Sequence, residues 1–152
     1  MLTPKRITWF LVADGAKARL FESYGPKAPW DRKGEWSDAG ARAPSRELGR
    51  DRPARGRTIG TGAPFAVEAP ASLHDKAEEA FLAARAEELN QANSNDDFDQ
   101  LAIAAAPAAL GHLRKKLAAE VTAKLIGLFD KDLTNMADQD LHVYFLDKLE
   151  RW

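Results

Sequence analysis

The chain has 152 residues, a formal net charge of -1 and no cysteine. That length suits one domain, residues 1–152, with a core large enough to need neither a metal nor a crosslink. The missing cysteines exclude disulfide frameworks, thiolate zinc sites and cysteine nucleophiles, and the near-zero charge confines any anion-binding surface to one region.

Lys5 and Arg6 precede the apolar run Ile7 to Ala13, the order of a short signal peptide. The run is rich in β-formers and Asp14 ends it abruptly, so it reads instead as a central strand buried on both faces. The protein is therefore expected to be cytoplasmic, with no membrane insertion. Asp14-Gly15 supplies hairpin-turn chemistry, with glycine free to take a positive φ. Lys17 to Glu22 starts with polar and apolar residues alternating, as a half-buried antiparallel partner does, and a weaker third strand is expected around Trp30 to Trp36.

From Ala39 to Ala71 no period of 2 or 3.6 is sustained, and Gly, Pro and Arg are dense. Ser72 with Asp75 three positions on resembles a capping box, predicting a helix to about Gln91 with Leu73, Ala77, Phe81 and Ala84 on its apolar stripe. Gln100 to Ala106 reads as a fourth strand. Pro107 suits the first turn of a helix carrying Leu110, Leu113, Leu117 and Val121. Lys124 to Phe129 makes a fifth strand, and a last helix from about Asp138 aligns Leu141, Phe145 and Leu149. Two late strands, each reached through a helix, imply parallel crossovers. The fold class is α/β: a ribonuclease-H-like mixed five-stranded sheet in the order 3-2-1-4-5, strand 2 antiparallel, with helices on both faces.

The segment from about 41 to 62 is what core packing leaves unexplained. Arg42, Arg46, Arg50, Arg52, Arg55 and Arg57 stand there against only Glu47 and Asp51. Guanidinium groups fork onto phosphate oxygens, and Gly49, Gly56, Gly60 and Gly62 let backbone amides approach an anion. No aromatic residue alternates with these arginines, so phosphate contact is favoured over base stacking within the segment. Gly60-Thr61-Gly62 lacks the lysine of a P-loop and the third glycine of a dinucleotide fingerprint. Asp14, Glu78, Glu79, Asp130 and Asp132 are the carboxylates a metal-dependent nuclease would use, but Asp14 also reads as a turn residue, Glu78 and Glu79 as solvated helix charge, and Asp130 and Asp132 as strand-end polar residues. His74, His112 and His142 fall in separate helices without ligand spacing, and no metal or cofactor is expected.

Val12-Ala13-Asp14-Gly15-Ala16, with Arg19 and Phe21, resembles the opening of the bacterial host attachment protein family, proteins described as required for attachment to host cells. Arg46-Glu47-Leu48-Gly49, with Asp51-Arg52-Pro53 and Arg55, resembles that family's most characteristic stretch. His74 with Lys76, Ala105-Ala106-Pro107 with Leu110-Gly111, and Lys131-Asp132-Leu133-Thr134 follow in the same order. The family is similar to the central domain of archaeal and eukaryotic peptide-chain release factors and of pelota. That resemblance implies a ribonuclease-H-like fold whose working loop precedes the first long helix. The Gly-Gly-Gln tripeptide of the release factors is absent from the loop, so peptidyl-tRNA hydrolysis is not carried over and no catalytic residue is assigned.

The combined expectation is a non-enzymatic RNA- or ribosome-associated factor. Its partners would be tRNA, rRNA or the ribosome, with Arg46, Arg50, Arg52, Arg55 and Arg57 on phosphate. The alternatives are an interaction module whose arginines meet an acidic protein partner in surface attachment, and a hydrolase of a phosphate ester or peptidyl-tRNA using Glu47 or Asp51.

Overall fold

The computed structural model describes residues 6–38, 63–149 and 152, with backbone alone for 63–72. Three strands open the chain: β1 (Thr8–Ala13), β2 (Lys17–Ser23) and β3 (Asp31–Ser37). They are followed by α1 (Ala63–Ser94), β4 (Gln100–Ala105), α2 (Pro107–Lys116), the single-turn α3 (Ala119–Thr122), β5 (Leu125–Phe129) and α4 (Asp138–Lys148). One five-stranded sheet results, in the order β3-β2-β1-β4-β5. β2 is antiparallel to β1 and β3, whereas β4 is parallel to β1 and β5. This is the α/β architecture and strand order expected from the sequence.

The continuous apolar run of β1 is explained by its central place, with all its residues buried. Trp9, Leu11 and Ala13 face α1 and α2, joined by Phe81, Leu82, Leu89, Ile103 and Leu113. Phe10 and Val12 face the other way, toward Leu141, Phe145 and Trp152. The crossovers from β1 to β4 and from β4 to β5 step the same way across the sheet, so a common hand places α1, α2 and α3 on one face. α4, following the last strand, closes the opposite face.

Four local expectations need correction. α1 begins at Ala63 and not at Ser72. Pro64 suits the first turn, where an amide donor is not needed, and the alanines before Ser72 favour helix without printing an apolar stripe. The buried stripe of α1 is Phe81, Leu82, Ala86, Leu89 and Ala92, whereas Leu73 is exposed and Ala84 turns to solvent. The helix from Pro107 stops at Lys116, where Leu117 is extended. Asn90 of α1 makes this break possible. Its Nδ2 donates to the Lys116 carbonyl at 2.9 Å and its Oδ1 accepts the Ala118 amide at 2.8 Å, so two groups orphaned by the break are satisfied. Finally, Gly15 is not a positive-φ residue. Its constraint is proximity: a Cβ there would stand 2.3 Å from Glu78 Oε2.

Candidate functional site

The carboxyl ends of β1, β4 and β5 point to one end of the sheet, the end at which open α/β sheets bind ligands. Asp14, directly after β1, organises it. Its Oδ1 accepts the backbone amides of Ala16 at 2.8 Å and Lys17 at 2.7 Å, which fixes the turn into β2. Its Oδ2 lies 3.1 Å from the hydroxyl of Thr134, which is also 2.6 Å from Asp132 Oδ1. The one hydroxyl proton serves one carboxylate at a time. The residues after β5 are thereby tied to those after β1.

Arg19 holds the same connection from the other face. Its guanidinium donates to Asp138 Oδ1 at 2.6 Å, to the Thr134 carbonyl at 2.9 Å and to the Met136 carbonyl at 2.7 Å. Asp138 Oδ2 in turn accepts from Arg32, Nε at 3.0 Å and Nη2 at 2.6 Å. Burial pushes the Asp138 carboxyl up, and hydrogen bonds and charge from Arg32 and Arg19 outweigh it, holding the group below the usual carboxylate range.

Between these loops and α1 lies a cleft of about 340 Å³, lined by Asp14, Gly15, His74, Glu78, Ala106 and Asp132. His74 Nε2 is 3.3 Å from Glu78 Oε2, one helical turn apart. The other imidazole nitrogen, Nδ1, is buried without a hydrogen-bond partner among the described residues. The structure thus brings together Asp14, Gly15, His74 and Asp132, with Thr134 and Arg19 fastening them from behind. Lys76 does not join them; it is exposed on α1. His112 and His142 do not line the cleft either, and the His142 ring stacks on Trp30 at 4.9 Å.

In the sequence, Glu78 stands out only as a metal-ligand candidate. Its pairing with His74 was signalled by their i, i+4 spacing. Of the other weighed carboxylates, Glu79 and Asp130 face solvent. Among the described residues no group of three or more histidines and carboxylates is placed to hold a metal ion.

Arg46, Glu47, Gly49, Arg50, Asp51, Arg52, Pro53, Arg55, Gly56, Arg57, Gly60 and Gly62 lie outside the described residues. The attachment of their segment is defined. Asp38 donates its backbone N–H to the Ala16 carbonyl at 2.8 Å, so the chain leaves the sheet beside the cleft. The described chain resumes in α1 at Ala63, and His74 of that helix lines the same cleft as Gly15.

A family model described as "Protein required for attachment to host cells" matches residues 9–145. No curated protein matches the chain.

Proposed function

The chain belongs to the family of proteins required for attachment to host cells, and from that membership we propose a non-enzymatic RNA- or ribosome-associated factor that grips phosphate through its arginine-rich segment. The observation that carries the proposal is the anchoring of Asp38 to Ala16. It sets Asp38, after which the sequence is rich in arginine, near the end of the sheet at which open α/β sheets bind ligands, beside the cleft lined by Asp14, Gly15, His74 and Asp132. In this reading Arg46, Arg50, Arg52, Arg55 and Arg57 contact phosphate, and Gly49, Gly56, Gly60 and Gly62 set the backbone. The carboxylates of Asp14, Glu78 and Asp132 repel phosphate from the cleft itself, so the backbone of an RNA runs outside it.

The strand order β3-β2-β1-β4-β5 supports kinship with the ribonuclease-H-like central domain of release factors and pelota, and a cytoplasmic place of action follows from the same reading. Among the described residues no helix is long and apolar enough to cross a membrane. Co-purification with and without nuclease, followed by binding of bulk tRNA, tests the proposal. Recovery of RNA with the untreated protein supports it; absence of RNA together with no tRNA binding at low salt overturns it.

A hydrolytic reading draws on one observation, the His74–Glu78 pair at the cleft wall. A Glu78→Gln variant separates the two. Loss of a phosphate-ester or peptidyl-tRNA hydrolysis present in the parent protein supports catalysis, and no turnover by either protein removes it.

A further inference from the structure

A second cleft, of about 220 Å³, opens on the α1 side of the outer sheet. Its origin is local. β3 places Gly34 opposite Leu20, so the strand gives this face no side chain there. Trp36 folds over the gap, and a Cβ on Gly34 would lie 2.6 Å from the far end of its ring. Trp9, Leu11, Leu20 and Leu89 supply the remaining apolar wall.

The rim is charged and built. The Arg85 side chain is only 10 % exposed. Its guanidinium lies 4.8 Å from the ring centres of both Trp36 and Phe81. Nε and Nη2 donate to the two oxygens of Glu88, each at 2.8 Å. Nη1 has no hydrogen-bond partner among the described residues. Lys33 Nζ likewise has none, only an approach of 3.8 Å to Glu22 Oε2, an oxygen already accepting Trp9 Nε1 at 3.0 Å.

These pairs cancel, Lys33 against Glu22 and Arg85 against Glu88, so the cleft favours a neutral occupant over an ion. Donors and carboxylate acceptors share its rim, which matches a ring whose edge carries both kinds of group. The volume exceeds the ~150 Å³ of a cavity that admits benzene. Trp36 stands just ahead of Asp38, where the chain departs into its basic segment. The sequence beyond Asp38 carries the arginines proposed to hold RNA phosphate, and the cleft adjoins the start of that stretch.

We infer that this cleft receives one unstacked nucleobase of single-stranded RNA, an inference that rests on the RNA reading above. Apolar walls take the ring, and Lys33 and Arg85 Nη1 meet its acceptors. Single-stranded RNA is commonly read in this way, by splayed bases on aromatic and guanidinium planes.

The test uses the full chain and a single-stranded RNA of about a dozen nucleotides carrying 2-aminopurine, a length within the usual range of single-strand sites. Ala92→Phe fills the cleft, and Lys33→Met removes an exposed rim donor without touching the core. With the parent protein, 2-aminopurine emission is expected to change on binding, and both variants should lose that change. Affinity should fall about tenfold in Ala92→Phe, with the salt dependence unaltered because the phosphate contacts remain. Equal affinity and equal 2-aminopurine response in Lys33→Met and the parent overturn the inference while leaving the RNA reading intact. No RNA binding by the parent protein overturns both.

Discussion

Replacing Arg19 by methionine keeps the aliphatic stem and removes the guanidinium that fastens the β5–α4 connection. Three contacts disappear, to Asp138 Oδ1, the Thr134 carbonyl and the Met136 carbonyl. The Arg19 side chain is 12 % exposed, so water replaces these bonds poorly. Asp138 is not orphaned, because Arg32 still donates to its other oxygen. The loss is therefore smaller than the ~3–5 kcal/mol of a buried charge left alone. Charge-assisted bonds worth ~1.5–3 kcal/mol each, not fully additive, give about 3 kcal/mol. At ~2–4 °C per kcal/mol for a domain of this size, the midpoint of thermal unfolding should fall by roughly 6–12 °C. Urea denaturation measures the energy, and hydrogen exchange at Thr134 and Met136 measures the loosening. A loss under about 1 kcal/mol with unchanged exchange would refute the view that Arg19 holds this end of the site.

Three further outcomes follow from the same geometry. Because Asp138 has a depressed pKa in the folded protein, its contribution is present above its ordinary value of 3.8 and is lost as pH falls through the lower folded value; the stability gap between the parent and an Arg19→Met, Arg32→Ala double variant should be full above about pH 5 and shrink below pH 4, as acid titrations by circular dichroism can follow. Asn90→Ala leaves the Lys116 carbonyl and the Ala118 amide without their partner and should cost about 1–2 kcal/mol in urea denaturation, whereas an unchanged midpoint contradicts its role at the α2–α3 break. Gly15→Ala should cost under about 1 kcal/mol, since the flexible end of Glu78 can move aside, yet it should separate Glu78 from His74; unaltered imidazole nitrogen shifts in the variant would contradict that contact.

The strands were legible because each carries its environment in its pattern. Trp9 to Ala13 is apolar throughout and lies central; Lys17 to Leu20 alternates and lies beside it. Asp14 as the turn residue and Leu141 with Phe145 on one helix face were equally readable. What escaped was contact between distant elements. Nothing local to Gly15 announces Glu78, and nothing local to Asn90 announces that it will close a break in another helix. Arg85 reads as one more solvated helix charge, yet it is buried with its guanidinium 4.8 Å from the ring centres of Trp36 and Phe81. The start of α1 was obscured because residues 63–71 carry helix-favouring alanines without the apolar spacing that marks a packed face. In the candidate site, Asp14, His74 and Asp132 could be singled out by type and resemblance, but their convergence depends on β1 and β5 ending beside the stretch of α1 that carries His74.

The proposed function depends most heavily on phosphate binding by the arginine-rich segment. The most direct measurement is the affinity for bulk tRNA across a salt series, for the parent protein and for a variant with Arg52, Arg55 and Arg57 all replaced by glutamine. Each lost phosphate contact lowers the log–log salt slope by roughly 0.7–0.9. The variant should show a slope shallower by about two units and much weaker binding at low salt; equal affinity and equal slope in the two proteins would contradict phosphate binding by these arginines.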